Sequence, residues 1–208
     1  MTTPLVAIAQ NRGNTIAQKF LKASDDASAV IGDRYGELAQ RGQMYFGTVA
    51  AVTLPVNAAT LASKFGLYNP ANSGIMIELV DIDAHYVVAT TVVNALGIYM
   101  SNGANATGAT FTTQVTAGNA RAGEGPASVG QFYSAVTHVG TPVLQDIIGG
   151  WGAVTDGGAT PVYKQWTTGR RILLPPATLI AIAMTTAAGT GSGFTGSISW
   201  VETPYAPV

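Results

Sequence analysis

The chain contains no cysteine among its 208 residues. This absence excludes disulfides, thiolate zinc sites, iron–sulfur clusters and cysteine nucleophiles. The chain also lacks an uninterrupted apolar run of the roughly 18 residues that a transmembrane helix needs. Its longest apolar-leaning stretch, residues 172–188, is broken by Pro175, Pro176 and several threonines. The N-terminus has neither the basic region nor the apolar centre of a signal peptide, so we expect a protein that starts in a cytoplasm and has no membrane partner.

Charged side chains are scarce as well. They make up 10% of the residues, against roughly 25% in an average soluble domain. Ten Lys and Arg residues oppose eleven Asp and Glu residues, for a formal net charge of −1. Nucleic-acid binders obtain most of their affinity from Lys and Arg on phosphates, so we expect no direct nucleic-acid binding. A hydrophobic content of 47% argues against an intrinsically disordered chain.

Small uncharged residues take the place of the missing charges. About 32 Ala, about 25 Thr and 25 Gly together form about 39% of the chain. Interface cores are depleted in charged residues. The composition therefore predicts an exterior that largely faces other subunits. The alternative is a monomer whose surface is rich in Ser, Thr and Asn.

The charges are unevenly placed along the chain. Residues 1–42 hold nine of the twenty-one charged side chains. This asymmetry predicts a polar, extended N-terminal arm with short helical turns over residues 1–42, followed by a body over residues 43–208. Asn14 is a candidate cap for a short helix over Thr15–Ala23. Such an arm is expected to become ordered against a partner.

The body carries strand patterns separated by turn clusters such as residues 69–74 and 101–108. The predicted strands are residues 44–52, 65–69, 75–91, 92–100, 111–116, 132–139, 171–174, 178–186 and 196–202. Seven to nine short strands without strand–helix alternation predict an all-β fold, an antiparallel β-sandwich of jelly-roll type.

One strand places three ionisable residues at alternate positions. Asp81, Asp83 and His85 would project from one face of a strand, and carboxylates with an imidazole are legitimate ligands for a divalent metal. They are weak candidates for a metal or catalytic site. The alternative is an ordinary solvated strand face, whose buried row would be Val80, Ile82, Ala84 and Tyr86.

No pattern for catalysis accompanies these residues. The chain has neither a G-x-S-x-G nucleophile elbow nor the lysine of a phosphate-binding loop. We therefore expect no enzymatic activity and no cofactor. His138 is expected to be a packed strand residue, and Arg171 is expected either to pair with Glu202 or to bind an acidic partner.

Two stretches resemble structural proteins of tailed-bacteriophage virions. Residues 41–48 read RGQMYFGT, and residues 67–74 read LYNPANSG, with Asn69, Pro70 and Gly74 in a turn before an apolar strand. The C-terminal stretch SWVETP, with Trp200 and Glu202, is similar to the usual last strand of that family. We expect Trp200 to lie in the core.

The resemblance implies a capsid cement or decoration protein, made in the host cytoplasm and located on the head surface of the virion. It would form a homotrimer, bind the major capsid protein and stabilise the assembled head shell. The arm would supply the capsid contact. Its candidate residues are Arg12, Lys19, Phe20 and Lys22.

Three alternatives remain open at this point. In the first, the chain is a tail or fibre-associated module that binds host glycans through aromatic residues such as Trp151 or Tyr163. In the second, it is a jelly-roll subunit that itself forms the shell. In the third, it is a hydrolase or metal-dependent enzyme that uses Asp81, Asp83 and His85.

Overall fold

A computed structural model describes residues 21–23, 29–31, 34–53, 62–63, 65–88, 94–151, 163–167, 171–185 and 193–206. The arm residues Arg12, Lys19 and Phe20, named above as candidate capsid contacts, lie outside these ranges, and Lys22 lies in a short strand. In chain order the elements are β1 (Leu21–Ala23), β2 (Ala29–Ile31), α1 (Arg34–Gln40), β3 (Met44–Thr53), β4 (Ala62–Ser63), β5 (Phe65–Asn69), β6 (Ile75–Val88), β7 (Asn94–Asn102), α2 (Ala104–Thr107), β8 (Thr110–Val115), β9 (Gly118–Asn119), β10 (Gln131–Thr137), β11 (Val143–Trp151), β12 (Tyr163–Thr167), β13 (Leu173–Leu174), β14 (Thr178–Met184) and β15 (Gly193–Pro204).

The body strands form two antiparallel sheets. In sheet I the order is β11-β7-β14-β5-β10-β8, and β4 continues the register of β5 along β10. In sheet II, β12 and β13 pair with successive parts of one side of β6, and the order continues as β6-β15-β3-β9. Strands β1 and β2 pair only with each other. The prediction of an all-β antiparallel sandwich is therefore confirmed.

Both sheets contribute to one apolar core. Sheet I supplies residues such as Phe65 and Phe132, and sheet II supplies residues such as Ile82 and Trp200, all fully buried. The Phe132 and Trp200 rings are stacked with centroids 6.2 Å apart, which joins the two layers. Trp200 is thus a core residue, as predicted.

Two glycines make room for large rings between the layers. A Cβ at Gly47 would overlap the ring of Phe132, and a Cβ at Gly196 would lie 2.7 Å from Cζ of Phe65. Each of these two glycines of sheet II therefore faces a phenylalanine of sheet I. Because protein interiors are close-packed, these positions tolerate no added methyl group without a shift of the ring.

A register shift in β6 changes the predicted buried row. Along β15, Ser199 pairs with Asp81 but Trp200 pairs with Leu79, so Val80 is the extra residue of a bulge. Leu79 and Ile82 are both fully buried, whereas Val80 is only half-buried. The prediction that Val80 belongs to the buried row was therefore wrong.

Three further expectations need correction. Residues 21–23 form a strand paired with β2, so the helix expected over Thr15–Ala23 does not reach them. The turn cluster at residues 101–108 contains the short helix α2. Strands β9, β11 and β12 were not predicted, and all three lie toward the edges of their sheets.

Substitution Gly47→Ala is expected to destabilise the fold by about 1–3 kcal/mol, because the new methyl group forces the buried Phe132 ring out of its place. Urea unfolding measures the change. Thr48→Ala, at the exposed neighbouring position, is the matched control and should stay within about 0.5 kcal/mol of the parent. Equal stability of both variants would contradict the packing described.

Candidate functional site

The two sheets differ sharply in charge. Across the described strands of sheet I, Asp146 is the one Asp, Glu, Lys or Arg residue. The strands of sheet II contain four carboxylates and one lysine. These are Glu78, Asp81, Asp83, Glu202 and Lys164. The described strands of sheet I are therefore almost free of charge, in part because β5 and β14 are buried throughout, and the described acidic groups of the body strands lie mainly on sheet II.

The carboxylate of Asp146 is committed within the molecule. Its Oδ2 accepts a hydrogen bond of 3.0 Å from Nε1 of Trp166, and its Oδ1 accepts one of 2.9 Å from the amide of Ile147. Trp166 lies on β12, so this bond ties the edge of sheet I to the edge of sheet II. The single charge of sheet I thus closes one side of the sandwich.

The root of the N-terminal arm is attached through a buried carboxylate on sheet II. Arg34 of α1 donates from Nη1 and Nη2 to the two oxygens of Glu78 at 3.0 and 2.7 Å, and the Tyr35 hydroxyl donates to Oε1 at 3.1 Å. Nε of Arg171 lies 3.5 Å from the same oxygen. None of the residues of α1 is buried. Polar contacts to Glu78 therefore contribute strongly to holding this helix against the body.

Electrostatics at Glu78 favour the ionised form. Burial alone raises the pKa of this carboxyl, but the hydrogen bonds and charge of Arg34, with Tyr35 and the charge of Arg171, outweigh it and hold the pKa below its ordinary value. The pKa of Arg34 is raised, first by the hydrogen bond to Glu78. Arg171 pairs with Glu78. Glu202 had been offered as its partner in the sequence analysis.

Asp81, Asp83 and His85 do share the outward face of β6, between the buried residues Ile82 and Ala84. Each lies opposite a hydroxyl residue of β15, and Ser197 donates to Oδ2 of Asp83 at 3.4 Å. Burial raises the pKa of Asp81, opposed by a hydrogen bond with Ser199 and reinforced by the charge of Asp83. Within the described ranges, no three side chains of the metal-ligating types come close enough to hold an ion. The row lines a polar strand face.

The residues of the family-like turn have structural contacts. Nδ2 of Asn69 donates to the carbonyl oxygens of Ile75 and Leu174 at 2.9 and 2.8 Å, which links β5, β6 and β13. The Ser73 amide donates to the carbonyl of Pro70, and Gly74 has a φ of +67°, a conformation that side chains other than glycine rarely adopt. This turn therefore positions the start of β6, three residues before Glu78.

The side chain of Glu202 organises the same end of the sandwich. It accepts hydrogen bonds from the Ser128 hydroxyl, the amides of Val129 and Gly130, and Nε1 of Trp200, at 2.6 to 3.1 Å. The Glu202 amide donates to the carbonyl of Gln43 at the start of β3. One nearly buried carboxylate thus fixes the loop before β10.

A buried histidine lies where the chain passes from β10 to β11. Oγ of Ser101 and Nδ1 of His138 share a hydrogen bond of 2.9 Å, and both residues are buried. Nε2 of His138 has no hydrogen-bond partner in the described part of the chain. Burial lowers the pKa of His138 to about 4, so the imidazole is neutral at pH 7. The pair is therefore a packed contact, as expected for His138, and forms no Ser-His-acid arrangement.

The aromatic candidates for glycan binding are divided between two situations. Trp166 and Trp200 are buried, and each donates its indole N–H to a carboxylate. The side chains of Trp151 and Tyr163 lie outside the described part of the structure.

Among the described residues, no helix has the length and apolar character needed to cross a membrane.

Comparison of the chain with family models, with curated proteins and with solved structures finds no match. The function must therefore be argued from the molecule itself. Residue patterns pointed to Asp81, Asp83 and His85 but missed the contacts of Glu78 and Asp146. For Asp146 the available signal was a lone acidic residue within an apolar strand, whereas Glu78 shares β6 with Asp81 and Asp83 and carried no such signal.

Substitution Glu202→Gln should destabilise the protein by about 2–3 kcal/mol. The carboxylate oxygens accept four hydrogen bonds, whereas the glutamine side chain has one acceptor oxygen and a donor NH₂ group in place of the other. Hydrogen exchange should also quicken at residues 128–130. Glu124→Gln, at an exposed position, is the control and should change neither quantity. Unaltered exchange in Glu202→Gln would rule out its role as the loop anchor.

The pH dependence of unfolding should report His138. Its pKa is about 4 in the folded chain and about 6.5 when unfolded, so the unfolded state binds the proton first. Stability is then fully present above pH 6.5 and falls as the pH drops toward 4, by up to about 3 kcal/mol. Replacing His138 by Gln should flatten this part of the curve. Parallel curves for parent and variant between pH 7 and 4 would refute the assignment.

Proposed function

We propose that the chain is a structural protein of a bacteriophage virion that binds the assembled head shell as an oligomer and stabilises it, without enzymatic activity. Its partners would be the major capsid protein and further copies of itself, with a homotrimer as the proposed form. It would be made in the host cytoplasm and lie on the head surface.

The observation that carries this proposal is the absence of charge at the exposed positions of the edge strands of sheet I. The inner strands β5 and β14 are buried throughout, and the exposed residues of β8 and β11 are Thr110, Thr112, Thr113, Gln114, Val143, Leu144, Gln145 and Ile147. Surfaces that stay in water normally carry many charged groups, whereas the cores of protein interfaces are depleted in them. The one carboxylate of the described strands, Asp146, is bonded to Trp166 and to its own chain. Uncharged edges of this kind suit permanent contact with protein.

The strand order supports a jelly roll as the finer description of the fold. Eight strand positions can be numbered 1 to 8 in chain order if β12 and β13 are counted together: β3, β5, β6, β7, β11, β12 with β13, β14 and β15. Sheet II then has the order 1-8-3-6, and sheet I has the order 2-7-4-5. Jelly rolls arrange their eight strands in this way and are frequent in virus capsids. Elements α2, β8, β9 and β10 then form an insertion between strands 4 and 5.

The attachment of α1 supports the role proposed for the arm. Residues 1–42 carry five basic and four acidic side chains, and their last helix is fixed to the body through Arg34 and Glu78. This contact sets where the arm leaves the body. The arm can then reach a neighbouring shell subunit, and many such weak contacts on one particle add up to firm attachment.

A second candidate is a jelly-roll subunit that itself builds the shell. The strand order favours it equally, because one fold serves both roles and function depends on the surface. The two proposals differ in what the purified protein does. A decoration protein binds preformed shells, whereas a shell subunit assembles into shells.

Purified protein should cosediment with preassembled heads and leave free major capsid protein unbound. Replacing Arg12, Lys19 and Lys22 together by Ala should weaken this binding by about tenfold, because the arm loses three of its five basic side chains. Arg121→Ala, whose side chain pairs with the exposed Glu124, is the control. Assembly of the protein alone into shells would favour the second candidate, and absence of binding to heads would refute the first.

A further inference from the structure

Helix α1 is joined to the body by a contact that water can reach. None of its seven residues is buried, and the Arg34 side chain is 41% exposed where it meets Glu78, whose own side chain is 5% exposed. Isolated helices shorter than about 12 residues are marginal in water. The helix therefore keeps its form only while it is docked, and its release from the body also unfolds it.

The chain has a hinge directly after α1. The amides of Gly42 and Gln43 donate to the carbonyls of Ala39 and Leu38 at the end of the helix, and Gly42 has a φ of +70°. The chain is fixed to the sandwich immediately afterwards, because the Gln43 carbonyl accepts a hydrogen bond of 2.9 Å from the Glu202 amide. Movement of α1 can thus be confined to the turn around Gly42, with the sandwich unchanged.

A second guanidinium, which belongs to the body, lies beside Glu78. Nε of Arg171 is 3.5 Å from Oε1 of Glu78, and the Arg171 side chain is 65% exposed. Its place in the chain does not depend on α1, because the next residue, Ile172, is buried and its carbonyl accepts a hydrogen bond from the Leu79 amide. Arg171 therefore stays next to the carboxylate when α1 leaves and has room to close onto it.

The two arginines make different contacts with the same carboxylate. Arg34 donates to both oxygens of Glu78, at 3.0 and 2.7 Å, whereas Arg171 stands at the longer distance. Removing the partner of a buried charge is strongly unfavourable when nothing replaces it. Here Arg171 replaces Arg34, so the release of α1 does not leave Glu78 unpaired. This exchange narrows the free-energy difference between a docked and a released helix.

We propose that α1 is a releasable clasp at the root of the arm. In its docked state Arg34 holds Glu78, and in its released state Arg171 holds Glu78 while α1 is unfolded. Release adds residues 34–42 to the arm, and a fully extended chain of this length spans about 30 Å. The clasp goes beyond the proposed function, because it sets the reach of the arm whatever the arm contacts.

The first test is hydrogen exchange on the purified full chain, without heads. Amides of residues 38–41 should exchange at least about tenfold faster than those of the buried strand β14, because release opens α1 while the sandwich stays folded. Exchange of both segments at the rate of global unfolding would overturn the proposal.

The second test separates the clasp from an ordinary ion pair. Arg171→Ala should slow exchange in α1 by about fivefold, because it removes the cation that stabilises the released state. Arg34→Ala should speed it by about tenfold or more, since the docked state loses its two-pronged bond to Glu78. Arg121→Ala, whose side chain pairs with the exposed Glu124, is the control. Unchanged or faster exchange in Arg171→Ala would overturn the proposal, because Arg171 would then support only the docked state.

A third variant tests whether Arg171 acts through Glu78. In the Glu78→Gln background the neutral amide needs no cation, so adding Arg171→Ala should leave the exchange of α1 unchanged. A slowing as large as in the parent would refute the exchange of partners on Glu78. Binding to heads is measured separately. A working clasp in a protein that ignores heads refutes only the proposed function, whereas head binding by a chain whose α1 never opens refutes only the clasp.

Discussion

Close packing between two sheets is the constraint on which the rest of this structure depends. Phe132 lies over Gly47, and Phe65 lies over Gly196, so rings from sheet I fill the space that glycines leave in sheet II. The stacked Trp200 completes this layer. Because the interior accepts neither a gap nor an extra methyl group, the separation and the register of the sheets follow. The polar contacts at the ends of the strands then have fixed places to occupy.

Much of this fold could be predicted from local patterns. The strand of residues 65–69 was predicted with the bounds that the structure shows, because turn residues follow it directly. Strand β11 was missed because Gly149, Gly150 and the central Asp146 weaken its strand signal, and the five-residue strand β12 was missed as well. Their pairing is set by neighbours distant in the chain, which no local pattern reveals. The bulge at Val80 was not predicted for the same reason, because it is defined by the pairing of β6 with Ser199 and Trp200 on β15.

The candidate site was harder to predict than the fold. Asp81, Asp83 and His85 drew attention because ionisable residues at alternate positions are easy to see. In the structure these residues line a polar strand face, and the contacts between distant elements are made by Glu78 and Asp146, which did not stand out in the sequence. The partner of Glu78 lies 44 residues earlier in the chain. Composition, by contrast, was informative. The scarcity of charge in the body reappears in the nearly uncharged strands of sheet I, and we base the proposed place in an assembly on it.

The central proposal is that this protein works as part of a virion head. Electron cryo-microscopy of the particle whose genome encodes the chain tests it most directly. The account predicts density for the sandwich at repeated, symmetry-related positions on the outside of the head, with the arm running over a shell subunit. Density on the tail alone, or no density for the sandwich on the head, would contradict it.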